Sequence, residues 1–119
     1  MPSDGLSGRA PEPSKAEREA SGVAACFAAI AEEIRRGVSA ARVTAAIDAA
    51  QHACLGALGS GSGGELAEAL ANLQTVLKTW AEVWPRLGAQ TEFRAAVIRE
   101  AELWARRLPA LGGPAKRAA

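Results

Sequence analysis

Six large apolar residues, Leu66, Leu70, Leu73, Leu77, Trp80 and Trp84, recur at alternating spacings of four and three without interruption. That period places them all on one side of an α-helix and is incompatible with the two-residue alternation of a strand. A chain carrying such a seam must supply other helices to cover it.

Two further stretches repeat the pattern. Val23, Phe27, Ile30 and Ile34 form one stripe, and Val43, Ile47, Ala50 and Cys54 form another. Phe93, Val97, Ala101, Trp104 and Leu108 make a fourth, sparser face. The punctuation agrees with four helices. Ser14 and Glu17 form an S-x-x-E capping box before the first stripe, and Gly37 with Arg35 and Arg36 closes it. Ser39 is a natural N-cap for the second helix, which should continue to Leu58, and Ser62 with Glu65 repeats the capping box before the third. Pro85 is expected to stop or kink that helix, because proline removes an N–H and disfavours helix at the residue before it. Pro109 and Gly112-Gly113 should end the fourth helix at Leu108.

The fold class expected is therefore all-α, an antiparallel four-helix bundle. Two helical hairpins would be joined by the Gly/Ser linker GALGSGSGG, residues 56–64, and bury their apolar faces on each other. Residues 14–111 form this bundle. Residues 1–13, rich in Gly, Pro and Ser, read as a disordered N-terminal tail, and residues 112–119 as a second tail. Hydrophobic residues make up 49% of the 119, enough for one core, while aromatics are 4% and tyrosine is absent. Alanine dominates, and it is the strongest helix former because it loses no side-chain entropy.

Charge narrows the function classes. Net charge is +1, and setting aside Arg9, Lys116 and Arg117 against Asp4 and Glu12 leaves residues 14–111 balanced. A nucleic-acid-binding domain needs a cation excess to displace phosphate counterions, so nucleic acid is not an expected partner. No apolar run approaches the ~20 residues that span a bilayer, and the polar N-terminus lacks the regions of a signal peptide. No membrane partner and a cytoplasmic location follow as expectations.

Cys26 and Cys54 fall on neighbouring helices, offset by about five residues or ~7–8 Å of helical rise. That separation is too long for easy bridging, so reduced, inert thiols on apolar faces are expected. Two cysteines and one histidine fall short of the four ligands of a structural zinc site. Glu32, Glu33, Glu100 and Glu102 lack the Glu-x-x-His pairing of a bundle metal site. Glu32–Arg36, Glu82–Arg86 and Glu102–Arg106 fit surface pairs one turn apart. The Gly-rich linker lacks the lysine and the preceding strand of a phosphate-binding loop. No cofactor and no catalytic residue is expected, and the chain does not read as an enzyme.

His52, the single histidine, falls well away from the core stripe of its helix and should face solvent. The stretch Gln51-His52-Ala53-Cys54-Leu55-Gly56, followed by Leu66 and Leu70, resembles the histidine phosphotransfer domain, a helical bundle of about this size. That family presents an exposed helical His in a pattern like A-H-x-L-K-G. The glycine four residues after His52 matches, whereas Leu55 stands at the family's lysine and Cys54 at its leucine. The resemblance covers about 20 residues and implies phosphotransfer signalling with His52 as phosphoacceptor.

The principal expectation is a protein–protein interaction module, an adaptor, assembly factor, inhibitor or chaperone-like bundle, whose partner is another protein or a second copy. Val76 and Val83 widen the third helix's seam beyond what one facing helix needs. Trp84, beside Pro85, is the expected exposed anchor, since tryptophan and arginine dominate interface hot spots. Arg86 and Arg94 would supply its polar rim, while Trp104 is expected to point inward.

Overall fold

The structure, a computed structural model, describes residues 14–61 and 63–112. They form four helices, α1 Lys15–Arg36, α2 Ala40–Gly59, α3 Gly64–Leu87 and α4 Thr91–Gly112, with no strand among the described residues. The expected tails at 1–13 and 113–119 lie outside them.

α1 opens on the expected capping box. Ser14 Oγ accepts the Glu17 N–H at 3.1 Å, and Glu17 Oε1 accepts the Ser14 N–H at 2.6 Å, so two orphan donors are satisfied reciprocally. It closes at Gly37, which adopts the left-handed conformation at φ 72° and donates its N–H to the carbonyls of Glu33 and Ile34. Ser39 then caps α2, accepting the Arg42 N–H at 3.3 Å. Glu33 sits in this corner with Arg42 at 3.4 Å and Arg36 at 3.9 Å.

Four boundaries differ from expectation. α2 continues through Gly59, one residue beyond the expected end at Leu58, and so overlaps the start of the Gly/Ser stretch 56–64. Ala57 is buried and Leu58 packs against the core, which outweighs the weak helix propensity of Gly56 and Gly59. α3 starts after Gly63 with no side-chain cap, and Ser62 lies outside the described residues. α3 also runs past Pro85 to Leu87, and α4 past Pro109 to Gly112. Each proline costs about 3 kcal/mol inside a helix. In both places a buried neighbour, Trp84 or Leu108, holds the turn in place.

Gly112, assigned by the sequence to a tail, is instead the end of α4 and close-packed on α1. A Cβ there would lie 2.8 Å from Ala20 Cβ and 2.9 Å from Ala16 O, so only glycine allows the helices to approach this closely.

All the large residues of the first three stripes are buried, among them Phe27, Ile47, Leu70, Leu73 and Leu77 at 1% exposure or less. Phe27 meets Trp80 edge-on at 6.2 Å between ring centroids, a favoured aromatic geometry. α1 packs on both α2 and α4, and α2 packs on α3. α4 lies far more extensively on α1 than on α3. The bundle is thus closed on three sides, while the side between α3 and α4 is only lightly joined.

Candidate functional site

The end of α3 does not display its tryptophan. Trp84 is 2% exposed, enclosed by Phe93 at 5.7 Å between centroids and by the Arg94 guanidinium 5.9 Å over its ring. The expected exposed anchor is therefore core. The reason is the short turn after α3, which brings the first turn of α4 directly onto the indole. Gly88 N–H also donates to Trp84 O at 2.8 Å, fixing the turn beneath the ring.

Arg94 has an internal task as well. Its Nη1 donates to Gly88 O at 2.8 Å and its Nη2 to Ile34 O at 2.9 Å. One planar fork thereby ties the carbonyl ends of α3 and α1 together, where the helix dipoles favour a cation. Trp84, Pro85, Gly88 and Arg94 share a shallow cleft of about 210 Å³ with Val38 and Ala40. Arg86 is exposed and, like Val76 and Val83, which are half-buried, lies outside that cleft. Three of the six expected partner-binding residues, Trp84, Pro85 and Arg94, thus line that cleft and three do not.

Trp104 packs against the core as expected, but only in part. It is half-buried on α4, where α4 leans toward α1 and away from α3. Its Nε1–H donates to Glu100 Oε2 at 2.9 Å, and the Arg107 guanidinium stacks 4.6 Å from its ring centroid. A charged group on each side holds the indole in one orientation. Trp104, Arg107 and Leu111 form one wall of a groove of about 380 Å³, whose other wall is α3 with Glu65, Glu68, Ala69 and Asn72. The sequence carried a signal for this arrangement: Glu100 and Arg107 stand four before and three after Trp104, each one helical turn away.

A second cleft, of about 420 Å³, lies between α1 and α4. Arg35 of α1 and Glu102 of α4 are bonded across it. Glu102 thus bonds Arg35 across the helices, and Arg106 acts on it only as a nearby charge. That bond holds its carboxyl below the usual range, and raises the guanidinium of Arg35.

His52 is exposed on α2, as its helical phase requires. Its Nδ1 lies 2.9 Å from Asp48 O, and because a carbonyl only accepts, Nδ1–H is the donor. In the neutral ring the lone pair is then on Nε2. One turn on stands Leu55, 52% exposed, the large hydrophobic most open to solvent among the described residues.

Neither cysteine is bridged; Cys54 is fully buried and Cys26 half-buried. Burial pushes the Cys54 thiol up to about 11, helped by the nearby Cys26 thiol, and burial raises Cys26 too. Thiols held protonated are poor nucleophiles. Among the described residues no group of three His, Cys, Asp or Glu side chains could hold a metal ion, and no helix is long and apolar enough to cross a membrane. Comparison of the chain with protein-family models, with curated proteins and with solved structures gives no match.

Proposed function

We propose that this protein is a non-enzymatic interaction module, an adaptor- or chaperone-like helical bundle, whose binding surface is the groove between α3 and α4. The observation that carries the reading is Trp104. A large aromatic packed on the core keeps part of its surface open beside a groove, with Glu100 and Arg107 bracing its indole. A braced tryptophan loses little conformational freedom on binding, which is what an interface anchor requires. The cytoplasm is the compartment that suits two unbridged thiols.

The same reading takes the helices to be antiparallel, two hairpins joined at residues 60–63. Two contacts support it: Arg94, near the start of α4, bonds Ile34 near the end of α1, and Gly112 at α4's end packs on Ala16 and Ala20 near α1's start.

A photo-crosslinking side chain at Asn72, exposed on the groove wall, tests the reading in cells. It should give a discrete protein adduct that Trp104→Ala removes, while the same group at exposed Ala45 on α2 gives none. Equal adducts from both positions, or none from Asn72, would refute it.

A second reading is favoured by one observation, the Nδ1–H bond of His52 to Asp48 O, which leaves Nε2 as the ring's nucleophilic nitrogen. On that reading the chain accepts a phosphoryl group at His52. Incubation with phosphorylated response regulators should then label the wild type and not His52→Gln; an unlabelled wild type discards it.

A further inference from the structure

We infer that the occupant of the α3–α4 groove is a second copy of this chain, docked by the same groove about a two-fold axis. The inference rests on the reading of that groove as the binding surface and names its partner.

The charges of the two walls carry the argument. The α3 wall carries Glu65 and Glu68, and the charged residue lining the α4 wall is Arg107, while Glu100, bonded to the Trp104 indole, is not among the lining residues. Arg106, next to Arg107 in the chain, lines the α1–α4 cleft instead and does not alter this division. A partner surface of one sign would meet like charge on one wall, which costs affinity. The occupant must present a basic edge and an acidic edge separated by the width of this groove. The chain's own groove has that pattern. A two-fold axis makes a patch meet itself, so a contact from Glu68 to the other copy's Arg107 occurs twice. Both copies of Trp104 then enter one interface, flanked by Leu111 and Ala69. Apolar centre and charged rim are the usual anatomy of such a contact.

Charge reversal tests this directly, because Glu68 and Arg107 are both exposed and their replacement leaves the buried residues untouched. In sedimentation equilibrium of the full chain, the wild type should show twice the 12.2 kDa chain mass. Glu68→Arg and Arg107→Glu should each weaken self-association at least about tenfold, as should Trp104→Ala. The deciding arm mixes the two single charge variants. In the mixed dimer one Glu68–Arg107 contact is native and the other is reversed, so both pair opposite charges and dimers reform. A mixture that stays monomeric overturns the proposal, whatever the single variants do. So does a wild type that remains monomeric up to about 1 mM, the edge of measurable affinity. If the chain is monomeric yet Asn72 still crosslinks to a different protein, the self-docking inference fails and the interaction reading stands. If no adduct forms at all, the interaction reading fails first.

Discussion

Trp84 lies so close over Gly88 that a Cβ added at 88 would fall 2.6 Å from the indole Cε2 and 2.7 Å from the Trp84 carbonyl oxygen. The glycine is required for space rather than for an unusual φ, since its backbone is right-handed at φ −63°. Gly88→Ala should therefore cost about 1–3 kcal/mol, the range for forcing atoms into a filled site. Trp84→Ala should cost about 3–5 kcal/mol as a cavity in the core, and Trp104→Ala, on a half-buried ring, clearly less. Urea denaturation of the three variants ranks them. A Trp104→Ala loss equal to that of Trp84→Ala would contradict the burial described.

Leu73 and Leu77 sit mid-way along α3 at 1% and 0% exposure. Truncating either to alanine is expected to destabilise the fold by about 2–5 kcal/mol, a large share of a typical domain's 5–15 kcal/mol. Losses below about 1 kcal/mol in chemical denaturation would mean that α3 is peripheral.

Arg94 joins two helix ends through one side chain. Arg94→Ala should cost about 1–3 kcal/mol, mostly from the stranded Gly88 carbonyl, because Ile34 O keeps a second donor in Gly37 N–H at 3.1 Å. Arg94→Lys should recover little of it, since an ammonium lacks the fork that spans both carbonyls. Full recovery by lysine would show that charge alone matters. Hydrogen exchange in the turn after α3 reads the local effect.

Cys54 makes stability fall on the alkaline side. Its thiol titrates near the ordinary 9.0 when unfolded and at about 11 when folded. Below pH 9 both states hold the proton and the contribution is fully present. Between pH 9 and 11 the unfolded chain loses its proton first and folding weakens, by about 1–3 kcal/mol in all; above 11 the loss levels off. Melting curves of wild type and Cys54→Ala across this range should therefore differ in slope, the variant being flatter. Parallel slopes would show the thiol is not held protonated. In the native protein, alkylation should reach half-buried Cys26 well before Cys54.

Much of this molecule is legible one helix at a time. The 3.6-residue period sorts Phe27, Ile30, Ile47, Leu70 and Leu77 onto buried faces, and the Ser14–Glu17 box and Gly37 mark the ends of α1, because both signals are local. They depend on residues within a turn of one another. The same locality explains the errors at Pro85 and Pro109: a proline's cost is visible in the sequence, while the burial of Trp84 and Leu108 that outweighs it is not.

The roles of Trp84 and Trp104 could not be sorted from the sequence, because both stand on apolar stripes and differ only in what another helix does. α4 closes over Trp84 through Phe93 and Arg94 and packs mainly on α1, where Gly112 fits against Ala16 and Ala20, and Trp104 is left only half-buried. Helix content and the core faces followed from short-range periodicity and capping; which tryptophan meets solvent was decided by the packing of α4, a contact between residues more than 80 positions apart in the chain.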